Sequence, residues 1–242
     1  MLDTNERVQS MRRFDALCTT LLASAILAGS AIASTSLAPA TSPSQVVAGA
    51  VANSVAPEAV QIEGYRSAKF GMPEVSVRKA IKSDFAVENP THLYNELEHT
   101  NALIIANQVL IPNTPPATIT YILGAASSKL IQVNIIWGGD TGADIKLILL
   151  AANTLTTYFV ERGRYIKESY LVNQALENGS VIAFRGADQK GRMILLQMTP
   201  IIQDKNEIQD NKQTKPTKAM LRLSYMENPI SPDIFRIEKG KF

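Results

Sequence analysis

Apolar and polar positions change their period several times along this chain, and each change predicts an element. From residue 17 to residue 33 the run is almost unbroken and apolar. Residues 34–61 then lose all periodicity and carry Pro39, Pro43, Pro57 and one charge, Glu58, which is the composition of a disordered tether. From Ile62 the pattern becomes that of a folded unit. Tyr65-Arg66-Ser67-Ala68-Lys69-Phe70-Gly71 alternates as a short strand does. Pro73 and Glu74 then predict a helix over 73–85, because proline lacks an N–H that would have no partner in a first turn and a carboxylate suits the positive helix end. Val77, Ala80, Ile81 and Phe85 mark its apolar face.

Strands are predicted at 102–110, 117–123 and 129–137, the last two forming a hairpin around the Gly/Ser loop at 124–128. Within 129–137, Gln132 and Asn134 share one face and Ile131, Val133 and Ile135 the other, so one face is expected to be buried and one wet. Gly138-Gly139-Asp140-Thr141-Gly142 breaks the sheet. Asp140 or Thr141 is then expected to cap a long helix over 143–162, with Ile145, Ile148, Leu149, Ala152, Leu155 and Phe159 at helical spacing and Gly163 as its stop. Strands resume at 170–174, 180–185 and 192–201, a polar loop fills 203–217, and strands at 219–226 and 234–237 close the chain, the last as an edge. The fold class read from this order is α+β: antiparallel β-meander sheet or sheets with two main helices packed on one face. The predicted organisation is a signal segment over 1–33, the tether over 34–61 and an α+β domain over 62–242, within which 62–139 and 140–242 form two similar halves without visible sequence identity.

Composition matters most at the N-terminus. Met11-Arg12-Arg13, an apolar run of 17 residues and Ala31-Ile32-Ala33 supply the positive start, apolar middle and A-x-A site of an export signal. The run falls short of the roughly twenty residues of a spanning helix. Cleavage after Ala33 and a periplasmic location are expected, and an uncleaved signal would be the chain's one membrane contact. Met1 and Met11 both remain open as the start. The single cysteine, Cys18, leaves with the signal, so the mature chain holds no disulfide, CxxC or thiolate metal site. Formal net charge is +2, and the first 33 residues hold three basic and three acidic residues, so the balance survives processing. Nothing concentrates into the basic face that nucleic acid requires, and nucleic acid is excluded as a partner.

Candidate chemistry is sparse. His92 and His99, the two histidines, lie in His92-Leu93-Tyr94-Asn95-Glu96-Leu97-Glu98-His99. On a helix His92, Glu96 and His99 would share one face and offer two imidazoles and a carboxylate to a zinc-like ion. A solvated polar linker is the competing reading, favoured by Pro90 before it and strand residues after it. No G-x-S-x-G occurs, and Gly138–Gly142 lacks both the P-loop lysine and the dinucleotide spacing. The Asp140-Thr141-Gly142 triplet has no second copy to form an aspartic dyad. No cofactor is expected. Tyr65, Arg66, Lys69 and Phe70 mark either a binding edge or ordinary strand packing.

Three stretches carry a resemblance: Tyr65–Met72 followed by Val77 and Ile81, residues 183–193, and Leu221-Arg222-Leu223-Ser224-Tyr225. Over residues 62–242 the chain resembles uncharacterised exported proteins of Gram-negative, mainly alphaproteobacterial, genomes. Its opening is also similar to BamE/SmpA-like envelope domains, from which it departs by its length and by lacking a lipobox cysteine. The resemblance implies a helical part packed on antiparallel sheet, and it brings no catalytic residues. The function expected is non-enzymatic binding in the periplasm, with another envelope protein as partner. An unrecognised metal-dependent or hydrolytic enzyme and a small-molecule or lipid carrier are the alternatives.

Overall fold

β-Branched and aromatic residues at every second position extend the middle and the end of the chain into strands, while two stretches of helical period fold back over them. The computed structural model describes residues 59–139, 141–201 and 218–237. The expected signal segment, the tether up to residue 58, Asp140 and the 203–217 loop lie outside the described residues. A small hairpin, β1 (Gly64–Tyr65) with β2 (Ala68–Lys69), leads into helix α1 (Glu74–Phe85). Four strands follow: β3 (Thr91–Asn95), β4 (Thr100–Gln108), β5 (Ala117–Leu123) and β6 (Leu130–Trp137). After the two-residue β7 (Ala143–Asp144) comes helix α2 (Ile145–Glu161), then four more strands: β8 (Leu171–Ala175), β9 (Val181–Ala187), β10 (Met193–Ile201) and β11 (Lys218–Met226).

These strands form one antiparallel sheet in the order β3-β4-β5-β6-β11-β10-β9-β8, with β7 added beside β11. Helix-then-meander thus occurs twice, and the meanders join through their last strands, where Ile135 pairs with Leu223 and Val133 with Tyr225. The α+β meander fold read from the pattern is the one observed, and the two halves share a single sheet. One apolar core lies between sheet and helices, containing Val77 and Ile81 of α1, Ile148 and Phe159 of α2, and inward strand residues such as Ile119 and Leu221.

α1 begins at Glu74 with Pro73 as its extended N-cap, and Val77, Ala80 and Ile81 are its buried stripe. Arg78 bonds Glu74 one turn back at 2.7 Å, and Ala86, left-handed at φ 56°, ends the helix. The cap of α2 differs from expectation: Asp144 accepts from Lys146 N at 2.8 Å, because residues 143–144 first join the sheet beside β11. Leu149, expected in the core, is 40 % exposed.

Four further expectations change. The 92–99 linker is not helical: its first part is edge strand β3 and its second a turn. The wet face of β6 is buried, with Asn134 2 % exposed, since β6 is central and hemmed by β5 and β11. There Asn134 Oδ1 accepts from Gln132 Nε2 at 2.9 Å and from Ser224 Oγ at 2.8 Å, which satisfies the buried polar groups. Residues 234–237 form no strand. They continue a strap in which Asp233 accepts from Ala126 N and Ser127 N, and Phe235 N donates to Glu98 O. Finally, the last residues of the expected tether are pinned: Val60 N donates to Arg164 O and Ile62 N to Asp188 Oδ2.

Candidate functional site: a cavity at the junction of the halves

Inward side chains of β6 and β11 alternate by two residues, so Ile135, Trp137, Leu223 and Tyr225 present a continuous apolar floor where the meanders meet. Hairpin residues Tyr65 and Arg66 stand on one side. Leu155, Phe159 and Arg162, at spacings of four and three, form the facing wall from α2. Between floor and walls lies a cavity of about 680 Å³. That is the size range of small-molecule sites, roughly 300–1,000 Å³.

Its aromatic wall is held from behind. Tyr65 packs against Tyr225 with ring centroids 5.5 Å apart, and Phe159 lies 5.2 Å from Phe184. Tyr165 meets Phe184 edge-on at 5.1 Å, and a Cβ on Gly186 would come within 2.6 Å of its ring. Glycine at 186 therefore lets Tyr165 lie close against β9. The segment behind it is fixed by Ile166 N to Ala187 O and by Ser169 Oγ accepting from Ala187 N.

Two polar atoms buried behind this wall lack a partner. Trp137 is 1 % exposed, and its Nε1 has no hydrogen-bond partner among the described residues; the same holds for Tyr165 Oη. Burial pushes the Tyr165 phenol up to about 12, against the opposing pull of Arg162. Burial likewise raises Tyr225 and Tyr65, so these hydroxyls keep their protons at neutral pH. A buried donor left unmade costs about 1–3 kcal/mol.

Cations stand among the lining residues. Arg162 lies 5.0 Å from the Tyr158 ring centroid, and Arg66 lies 4.5 Å from that of Phe85. Neither guanidinium has a carboxylate within ion-pair distance among the described residues. Glu63, the carboxylate on this lining, is 3.6 Å from Lys69. The described lining residues include no histidine or cysteine. What the arrangement can do is bind: it offers apolar and aromatic area and positive charge.

The candidate metal residues are placed elsewhere. His92 lies on the edge strand β3, Glu96 is exposed in the following turn, and His99, at φ 53°, stacks on Phe235 with centroids 4.2 Å apart. Their common helical face does not exist, and no group of three His, Cys, Asp or Glu able to hold a metal occurs among the described residues. Of Tyr65, Arg66, Lys69 and Phe70, which mark either a binding edge or ordinary strand packing, the first three line the cavity and Phe70 packs against the core. Trp137, Arg162, Tyr165 and Tyr225 were not singled out. The signal available was the chain's one tryptophan on the inward register of a central strand. A second cavity, of about 560 Å³, lies between β6, the 190–192 loop and the strap. No helix among the described residues is long and apolar enough to cross a membrane. No protein family, curated protein or solved structure matches this chain.

Proposed function

We propose that this chain is an exported, periplasmic binding protein of non-enzymatic character, and that its site is the cavity where the two halves meet. The observation that carries the reading is about 680 Å³ of space lined by apolar and aromatic side chains from several elements, with Arg66, Lys69 and Arg162 among the lining residues. The carrier reading thereby takes precedence over the enzymatic alternatives.

Native mass spectrometry on protein isolated from its own cells tests it. The expected result is a small-molecule adduct that is lost on unfolding and refolding, with a change in the emission of Trp137. Leu155→Phe, which pushes a ring into the cavity from α2, should reduce adduct occupancy while leaving the fold intact. A bare mass before stripping, with the same Trp137 emission afterwards, overturns the reading.

Binding of another envelope protein is a second reading, favoured by the outer edge of β3. Its register against β4 is regular from Thr91 to Asn95, whereas β8, at the opposite edge, is interrupted at Asn173, φ 54°. A regular open edge is the one that can accept an added strand. A photo-crosslinker at Tyr94 should capture an envelope protein and one at Val172 should not; equal yields contradict edge selection.

A further inference from the structure

We infer that the outer face of α2 is the surface through which this protein pairs with a second copy of itself, the two helices running antiparallel about a two-fold axis beside Asn153. Lys146, Leu150, Asn153, Thr157 and Glu161 follow one another at helical spacing along the side of α2 turned away from the sheet, and all five are exposed. Leu147 and Tyr158 flank this line on one side and Leu149 and Val160 on the other, each 40–47 % exposed. A helix that only covered a sheet would be polar there, as α1 is with Lys79 and Lys82.

The charges on α2 say what covers this face. Lys146 stands in the first turn and Glu161 in the last, each at the end where the helix's own macrodipole disfavours it, and neither has an ion-pair partner among the described residues. An antiparallel copy reverses both mismatches. Lys146 and Glu161 lie equally far from the middle of the helix, so Lys146 of each copy meets Glu161 of the other, close to the opposite end of its dipole. The same reversal sets Leu150 against Thr157, Leu147 against Tyr158 on one flank, and Leu149 against Val160 on the other. At the axis the two Asn153 side chains face each other, and an amide that both donates and accepts is its own complement. A parallel copy would set Lys146 against Lys146 and Glu161 against Glu161. A lipid surface would bury Asn153 and Glu161 in the middle of the contact without partners. With 17 residues α2 is about 25 Å long, so the contact is small for a specific interface, and a dissociation constant of about micromolar order is expected.

Sedimentation of the protein isolated folded from its own cells, at about 1 to about 100 µM, should show monomer and dimer exchanging with concentration. Glu161→Lys and Lys146→Glu each set like charges opposite one another at two symmetry-related places and should weaken the dimer about ten-fold. Each suits the helix's own dipole better, so the monomer stays folded. Combined in one chain, the two reversals should restore association; mixed as separate chains, the two single variants should form the heterodimer in preference to either homodimer. Leu150→Glu, at a position 44 % exposed, should leave monomer alone with an unchanged circular dichroism spectrum. A photo-crosslinker at Leu149 should give, in cells, an adduct of twice the chain mass. Monomer throughout the range, a dimer indifferent to these charges, or a crosslink only to another protein or to lipid overturns the pairing, and none of these results bears on the cavity, whose adduct is read separately.

Discussion

The two halves of this molecule follow the same plan and end in opposite states of packing. In the first, α1 closes on its meander. Its outer face is polar and ion-paired, Arg78 to Glu74 at 2.7 Å and Lys82 to Glu88 at 2.7 Å, and the chain just before it is laced to β6 by Gly71 N to Leu130 O and Leu130 N to Met72 O. In the second half, α2 is apolar on its outer face as well, with Leu147, Leu149, Leu150, Tyr158 and Val160 each at least 40 % exposed. No ion pair forms on α2 among the described residues. The cavity opens beside this second helix. The comparison teaches that the repeated topology supplies the frame, and that the place where the halves differ is the place where space is left open.

The strongest way to break the comparison is to remove what holds the second half around its hollow. Phe184, fully buried, backs Phe159, Tyr165 and Tyr170 with centroids 5.1–5.8 Å away. Phe184→Ala should cost about 4 kcal/mol in urea unfolding. A loss below about 1 kcal/mol would mean that this aromatic wall is not a packed unit.

Next in size is the clasp between the chain entering the fold and β9–β10. Asp188, 3 % exposed, accepts from Ile62 N at 2.9 Å, from Arg192 Nε at 2.8 Å and from the backbone N–H groups of Lys190 and Arg192. Asp188→Ala leaves several buried donors unpaired and should cost about 3 kcal/mol. Hydrogen exchange at Ile62 should rise in this variant ahead of exchange in α1; uniform acceleration would contradict a local clasp.

The tyrosines sharpen the same contrast through pH. Burial raises Tyr65, Tyr121, Tyr165 and Tyr225, four of the seven tyrosines, so their folded values lie above the unfolded value near 10. Their contribution to stability is fully present below about pH 10 and is lost as pH rises through that value, toward about 12 for Tyr165. Alkaline titration followed by absorbance should therefore find these phenols ionising together with unfolding; smooth ionisation in a folded protein would contradict their burial.

The smallest effect belongs to the strap. Hydrogen bonds from Ser127 and Ala126 hold Asp233 below the usual carboxylate range, so its contribution is present above about pH 4 and is lost as pH falls through its lowered value. Asp233→Ala should cost about 1 kcal/mol, given its exposure to solvent, and amides 125–127 should exchange faster in the variant at pH 7. Unchanged exchange there would remove the strap's role.

Much of this fold was readable from periodicity. Val77, Ala80 and Ile81 lie at helical spacing and form the buried stripe of α1, and the Gly/Ser loop before Lys129 joins the hairpin expected there. β3 escaped notice because an edge strand with one exposed face has little apolar alternation: Thr91, His92 and Tyr94 are all exposed. Ile234-Phe235-Arg236-Ile237 misled in the opposite direction, having the alternation of a strand but finding its partners at the ends of loops. Gln132 and Asn134 read as wet because a sequence records polarity and not position in a sheet, and their mutual hydrogen bonding is what allows burial. The cavity was the least legible feature. Its walls come from Tyr65, Trp137, Arg162 and Tyr225, far apart in sequence, and an empty volume leaves no residue pattern of its own.

A crystal structure of the protein purified without unfolding from its own cells tests the central claim most directly. The account predicts density for a bound small molecule between β6, β11 and α2, in contact with the aromatic side chains that line the cavity. Side chains collapsed into that space, with no bound molecule there, would contradict it.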